Sequence, residues 1–147
     1  THTGIAVDKR SAETFRASDF PPFKAGIEAG CGIVMVSHNI VECFDKENPA
    51  SLSAEGHRVL REELSFDGVI TTDDLAMQAI TDSYGSGEAA VLAIEAGNDL
   101  ICCSDLSVKY EAVKSAYESG RISLSRIEES VLRILEYKVT MGLLSSD

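Results

Sequence analysis

Three short apolar runs, rich in β-branched residues, divide the chain at similar intervals. They begin near residues 33, 69 and 100 and are separated by stretches whose apolar positions recur at helical spacing. Val59, Leu60 and Leu64 are one example. Strand starts that lie about 31 to 36 residues apart are typical of repeated βα units. The pattern therefore predicts an α/β chain with three parallel strands and flanking helices.

Start and stop signals bound the helices between these strands. Ser53 is typical of a helix N-cap, and Gly97 is typical of a helix end. We expect residues 1–17 to be irregular and the segment after Met77 to be a loop through Gly87. Five helices are predicted, at 18–29, 53–64, 88–96, 107–118 and 125–141.

An internal repeat supports the βα plan. Residues 27–37 and 94–104 both contain Ile-Glu-Ala-Gly, then a turn, an apolar run and a serine. All three strands end in polar residues, at Ser37-His38, Thr72-Asp73 and Ser104-Asp105. Because function in parallel α/β proteins lies at the carboxyl ends of the strands, we expect these residues to share one functional rim.

Three strands are too few to close a barrel, and a three-stranded parallel sheet would leave long apolar edges. The alternatives are a small open α/β sheet and part of a larger fold. We favour the second. A (β/α)8 barrel of the TIM type needs about 250 residues, so we predict that residues 1–147 are the carboxyl-terminal portion of such a barrel.

Charge and cysteine content narrow the classes of function. The chain has 13 basic and 24 acidic residues, a net charge of −11 and no basic run. This argues against nucleic acid and against a membrane surface as partners, and no apolar run approaches the ~20 residues of a spanning helix. Cys102 and Cys103 lie in an apolar run, where buried reduced thiols are expected. We therefore expect a cytoplasmic protein and leave an extracellular location open.

Several common motifs are missing from the sequence. There is no glycine-rich dinucleotide or phosphate loop after a strand, and no serine lies in a nucleophile elbow. The three histidines are far apart and the four cysteines lack metal-ligand spacing, so we predict no metal site. His57 lies on the polar side of a predicted helix and is expected to be solvated.

The remaining candidates for chemistry are Asp73, Asp74, His2, His38 and Asp105. A carboxylate can act as nucleophile or base, and an imidazole can donate and recover a proton near neutral pH. Two alternatives stay open from the residues alone. Asp73 or Asp74 could instead cap the next helix, and His38 could make a structural hydrogen bond instead of contacting a substrate.

A longer motif helps to choose among these candidate residues. Residues 60–77, LREELSFDGVITTDDLAM, resemble the nucleophile region of glycoside hydrolase family 3, and of its β-N-acetylglucosaminidase branch in particular. The resemblance continues through VMVSH at 34–38, NPASLS at 48–53, and shorter matches at 88–90 and 96–100. It covers nearly the whole chain.

The resemblance implies a retaining hydrolase of terminal β-linked N-acetylhexosamine residues that needs no cofactor. It makes Asp73 the nucleophile and His2 the acid/base, with Asp74, His38 and Met77 near the substrate. That substrate would be a glycan or muropeptide that contains N-acetylglucosamine, as in cell-wall recycling. Residues 1–17 would be the remnant of a catalytic loop and 18–147 the βα units.

Two departures from the family pattern limit this reading. The family's Lys-His segment and its sugar-binding Asp and Arg have no match in this sequence, and Thr72 replaces a commoner serine. We therefore expect the intact polypeptide to have roughly 150–200 more residues at its amino end, the missing half of the barrel. The chain alone would be inactive. A catalytically silent half-barrel, a β-glucosidase and a glycosyl phosphorylase stay open as alternatives.

Overall fold

Two pairs of parallel strands form the sheets of the structure, a computed structural model that describes residues 4–145. The first pair joins β1 (Val7–Asp8) to β3 (Ile40–Val41). The second joins β2 (Ile33–Val36) to β4 (Val69–Thr72), with Ile33 opposite Val69 and Val36 opposite Thr72. The predicted α/β class with parallel strands is confirmed.

The prediction of a third strand is wrong, because this segment forms only one bridge. Leu100 lies in parallel register with Thr71, and its N–H donates to the carbonyl of Ile70 at 3.1 Å. Two residues further on, the N–H of Cys102 donates to the side-chain hydroxyl of Thr72 at 3.1 Å. This side chain takes the place of the backbone acceptor, so the ladder does not continue.

Helical segments account for most of the remaining described residues. Two of them contain a π-helical turn: Phe15–Asp19 joins the first two helices, and Val59–Glu63 extends the third. The α-helices are α1 (Ala12–Thr14), α2 (Phe20–Glu28), α3 (Ala54–Arg58), α4 (Gln78–Tyr84), α5 (Ser86–Ala96), α6 (Leu106–Glu118) and α7 (Leu124–Thr140).

Helices α3, α5, α6 and α7 lie near their predicted ranges, and Ser53 caps α3 by accepting the N–H of Gly56 at 3.1 Å. Two local predictions are wrong. Residues 12–17 are helical because Ser11 accepts the N–H of Thr14 at 3.3 Å and begins the helix earlier. Residues 78–84 form α4 in place of a loop, because Ile80 is buried against α5.

The two faces of strand β2 differ in burial. Val34 and Ile70 are paired on one face, where they pack with Phe66 beneath the helices. On the other face Met35 is 59% exposed. Cys102 is also exposed and Cys103 is half-buried, so the prediction of two buried thiols is wrong. Both cysteines follow Leu100, the residue that forms the bridge with Thr71.

No helix within residues 4–145 combines the length and the apolar character needed to span a bilayer.

A buried carboxylate joins the sheet to α7. The side chain of Asp99 has no exposed surface. It accepts the backbone N–H of Ile70 at 3.0 Å and hydrogen bonds from the guanidinium groups of Arg61 at 2.8 Å and Arg133 at 3.2 Å. Arg126 approaches the same carboxylate at 3.6 Å. A buried charge is tolerated only with such compensation, so Asp99 should be critical for stability.

We expect Asp99→Asn to lower the free energy of unfolding of the full-length protein by about 3–5 kcal/mol, because it leaves partly buried guanidinium groups without a counter-charge. Urea unfolding measures this change. Asp67→Asn removes an exposed carboxylate nearby and should cost no more than about 0.5 kcal/mol. Equal and small losses in both variants would contradict the structural role of Asp99.

His57 is buried, against the expectation that it is solvated. The residue is 3% exposed, and Nδ1 lies 2.8 Å from the carbonyl oxygen of Ser53, so Nδ1 carries a proton. Nε2 is buried without a hydrogen-bond partner among the described residues. Burial lowers the pKa of His57, because a second proton would place an unsolvated charge in the interior.

This lowered pKa has a consequence for stability. The ordinary pKa of histidine is 6.5, and the unfolded chain has this value at His57. As the pH falls through 6.5, the unfolded chain therefore binds a proton at His57 before the folded chain does, and the free energy of unfolding decreases. His57→Asn keeps a donor for Ser53 and removes the titratable ring. We expect the variant to lose less stability than the wild type between about pH 7 and about pH 5 in urea unfolding. Equal decreases in the free energy of unfolding of the variant and the wild type would show that His57 does not cause this pH dependence.

Candidate active site

The carboxyl ends of the strand segments meet around residues 73–75. The N–H of Asp73 donates to the carbonyl of Val36 at 3.1 Å, which continues the β2–β4 ladder by one residue. On the other side, the N–H of Leu75 donates to the carbonyl of Cys102 at 3.0 Å. The acidic pair therefore lies at the rim that the strand pattern predicts.

Asp73 is half-buried, and one oxygen of its carboxylate is held in place. Oδ1 accepts the backbone N–H of Asp74 at 2.8 Å, a bond that restricts rotation of the side chain. Within residues 4–145, the hydrogen bonds of this carboxylate involve Oδ1 alone. Oδ2 therefore has no hydrogen-bond partner among the described residues.

Asp74 shapes the turn that follows. Its Oδ1 accepts the N–H of Ala76 at 2.9 Å, and its carbonyl accepts the N–H of Met77 at 3.0 Å. Helix α4 begins at Gln78, and Met77 occupies the cap position without a side-chain bond. The alternative that Asp73 or Asp74 caps this helix is therefore wrong. The Asp74 side chain instead closes a tight turn in front of the helix.

His38 lies beneath this turn and is 1% exposed. Its Nε2 is 3.1 Å from the carbonyl oxygen of Asp74, and its Nδ1 is 2.7 Å from the hydroxyl of Ser51. A carbonyl oxygen can only accept, so Nε2 carries the proton and donates. In the neutral ring, Nδ1 then accepts from Ser51. Both ring nitrogens are thus engaged within the chain.

Two further residues that the sequence analysis did not single out support this site. Ser51 is fully buried, and its backbone carbonyl accepts a hydrogen bond from the side-chain amide of Asn98 at 2.8 Å. The same amide donates to the carbonyl of Ala93 at 2.8 Å. Both residues lie in family-like motifs, NPASLS and AGND, and that resemblance was the only available signal for them.

His2 lies outside the described residues, but the chain shortly after it is attached to the rim. The N–H of Ile40 donates to the carbonyl of Ala6 at 2.8 Å, and the N–H of Glu42 donates to the carbonyl of Asp8 at 2.9 Å. Because Ile40 follows His38 by two residues, β1 is held beside the end of β2.

Asp105 has a different environment from Asp73. It pairs with the buried ammonium group of Lys109 and the hydroxyl of Ser86, and these hydrogen bonds hold the pKa of its carboxyl below the ordinary range. Lys109 and Ser86 are themselves 2.9 Å apart, so the cluster joins α5 to α6. Within residues 4–145, no three potential metal-ligating side chains lie close enough to hold an ion.

Fold and site together define an α/β protein that presents a partly buried aspartate at the carboxyl ends of parallel strands, where α/β enzymes have their active sites. The family described as glycosyl hydrolase family 3 N terminal domain matches residues 1–137. The chain therefore belongs to glycosyl hydrolase family 3.

Individual relatives agree with this assignment. A β-hexosaminidase from Nitrosomonas eutropha is 35% identical over 132 residues, which are 87% of this chain and 37% of the relative. The structure of a family 3 β-N-acetylglucosaminidase from Paenibacillus sp. str. FPU-7 has a TM-score of 0.92 and 35% identity, over 99% of this chain and 30% of that one. The structure of the β-glucoside phosphorylase BglX has a TM-score of 0.88 and 28% identity, over 97% of this chain and 28% of that one. The chain thus spans about a third of the length of these relatives.

The turn at Asp74 makes a prediction about stability. Asp74→Ala removes the acceptor for the N–H of Ala76 and should lower the free energy of unfolding of the full-length protein by about 1 kcal/mol. Asp74→Asn keeps the Oδ1 acceptor and should cost only a few tenths of that value. Urea unfolding compares the two. Equal losses would mean that the carboxylate charge, and not the turn bond, stabilises the fold.

Proposed function

We propose that the intact protein is a retaining β-N-acetylhexosaminidase in which Asp73 is the nucleophile and His2 the acid/base. The observation that carries this proposal is the carboxylate of Asp73, which lies at the rim with Oδ1 held by Asp74 and Oδ2 unengaged among the described residues. The relatives named as β-hexosaminidase and β-N-acetylglucosaminidase support the substrate class, terminal N-acetylglucosamine on a glycan or muropeptide.

The reaction would take two steps at the anomeric carbon. Asp73 Oδ2 attacks this carbon while protonated His2 donates its proton to the departing glycosidic oxygen, and a covalent glycosyl-enzyme forms. His2 then takes a proton from water as the water attacks the same carbon and releases Asp73. The two groups must lie about 5 Å apart for this retaining geometry. The bonds between β1 and β3 support the proximity of His2, because they hold the following residues at the rim.

Proton transfer by histidine suits a site that contains an anionic nucleophile. A carboxylic acid in that role becomes a second negative charge close to Asp73 when it ionises, whereas histidine becomes neutral when it gives up its proton. Met77, half-buried at the end of the turn, would contribute apolar contact to the sugar, and Asp74 would shape the floor of the site. The chemistry needs no cofactor.

The fold would be the carboxyl-terminal portion of a (β/α)8 barrel. The apolar face of the β2–β4 sheet with exposed Met35 would then form part of the inner wall. About two thirds of each relative lies outside the region matched by this chain, enough for the missing strands. Residues 1–17 would belong to the catalytic loop and 18–147 to the βα units.

A glycosyl phosphorylase is the second candidate, favoured by the similarity to a β-glucoside phosphorylase. In that case phosphate, in place of water, would attack the glycosyl-enzyme and give a sugar 1-phosphate. Product analysis with and without phosphate separates the two, because a hydrolase releases only the free sugar under both conditions.

The nucleophile assignment is tested by Asp73→Ala in the full-length protein. Hydrolysis of an aryl β-N-acetylglucosaminide should fall by at least about a thousandfold, because no covalent intermediate can form. Added azide fits the space that the carboxylate leaves and should restore aryl release with formation of the α-glycosyl azide. Asp82→Ala removes an exposed carboxylate of α4 and should keep wild-type activity. An active Asp73→Ala enzyme would overturn the proposal.

A further inference from the structure

We propose that His38 is a positioning residue for Asp73: its Nε2–H holds the carbonyl of Asp74 and thereby keeps the turn that orients the nucleophile. This inference rests on the proposed function of Asp73. It differs from a role as a substrate contact, because the ring acts through the backbone of the acidic motif.

The first argument is that His38 is buried and fully hydrogen-bonded. His38 is almost fully inaccessible, and each ring nitrogen already has a partner inside the chain. The carbonyl of Asp74 fixes Nε2 as the donor, and Ser51 supplies a hydroxyl proton to Nδ1. A sugar hydroxyl could bind to the ring only by displacing one of these bonds.

The second argument is that hydrogen bonds hold Asp74 on both sides of its Cα atom. Its N–H holds Oδ1 of Asp73, its Oδ1 holds the N–H of Ala76, and its carbonyl receives both His38 and the N–H of Met77. These bonds restrict the backbone on both sides of the Asp74 Cα atom. Rotation of this residue would therefore turn its N–H away from the carboxylate of Asp73.

Ser51 provides the third argument, because its hydroxyl gives Nδ1 a hydrogen-bond donor once the carbonyl of Asp74 holds the ring proton on Nε2. Without a donor at Nδ1, the ring could place its proton on Nδ1 and would then lose the bond from Nε2 to Asp74. The backbone of Ser51 is held in turn by the amide of Asn98. The path from Asn98 to Asp73 begins with buried hydrogen bonds at Ser51 and ends with partly buried ones at Asp74. Misplacement of a reacting group by about 1 Å can reduce the rate about a hundredfold.

Two substitutions of His38 form a matched pair in the full-length enzyme. The amide nitrogen of His38→Gln can occupy the place of Nε2 and donate to Asp74, whereas the shorter amide of His38→Asn reaches only the place of Nδ1. We expect His38→Asn to lower kcat at least about tenfold and His38→Gln to restore most of it. KM and the inhibition constant of N-acetylglucosamine should change less than about threefold in both, because no sugar contact is lost.

Ser51→Ala provides a separate measurement that leaves the imidazole in place. It should lower kcat with KM unchanged, by less than His38→Asn does, because part of the population keeps the proton on Nε2. Thermal unfolding checks that each variant is folded. If His38→Asn does not fold, His38→Gln and Ser51→Ala still carry the test.

Other outcomes overturn the proposal. A rise in KM and in the inhibition constant with unchanged kcat would make His38 a substrate contact, and equal losses in the Asn and Gln variants would remove the role of Nε2. Wild-type kinetics in all three variants would show that the turn does not need His38. These outcomes differ from a failure of the proposed function. If Asp73 is not the nucleophile, the Asp73→Ala variant stays active although His38 is intact.

Discussion

The buried carboxylate of Asp99 is the constraint on which the packing of this chain depends. It receives the backbone N–H of Ile70 in β4 and the guanidinium groups of Arg61 and Arg133, so it joins the central strand to helical segments on two sides. An anion without exposed surface is stable only where such donors replace water. The cluster therefore holds β4 against Arg61 and α7, in addition to the ladder that pairs β4 with β2.

Asp73 is an aspartate at the opposite end of the same strand, and its surroundings differ in kind. Donors surround both oxygens of Asp99, whereas the described residues engage only one oxygen of Asp73. The polar groups of His38 and Ser51 are buried below the turn and form bonds with it and with each other. Buried polar networks with satisfied partners favour one arrangement over others. Within residues 4–145, this support leaves Oδ2 of Asp73 without a hydrogen-bond partner at the rim.

Much of this organisation was predictable from local sequence. Helices α3 and α5 could be found because Ser53 and Gly97 are strong boundary residues whose effect depends only on nearby backbone. The βα order followed from the spacing of apolar runs. The candidate nucleophile could be located because the acidic pair directly follows the β4 strand, and the family motif distinguished Asp73 from Asp74.

The sequence by itself therefore determined the order of elements, the parallel strands and the place of the acidic pair, because these depend on neighbouring residues. The tertiary structure alone decided which polar groups meet. The hydroxyl of Thr72 ends the ladder by binding the N–H of Cys102, 30 residues away. His57 is buried at a position where its side chain lies close to Gly97. His38 has its tautomer set by the carbonyl of Asp74, 36 residues further on. Such contacts join distant segments, and their geometry exists only in the folded chain.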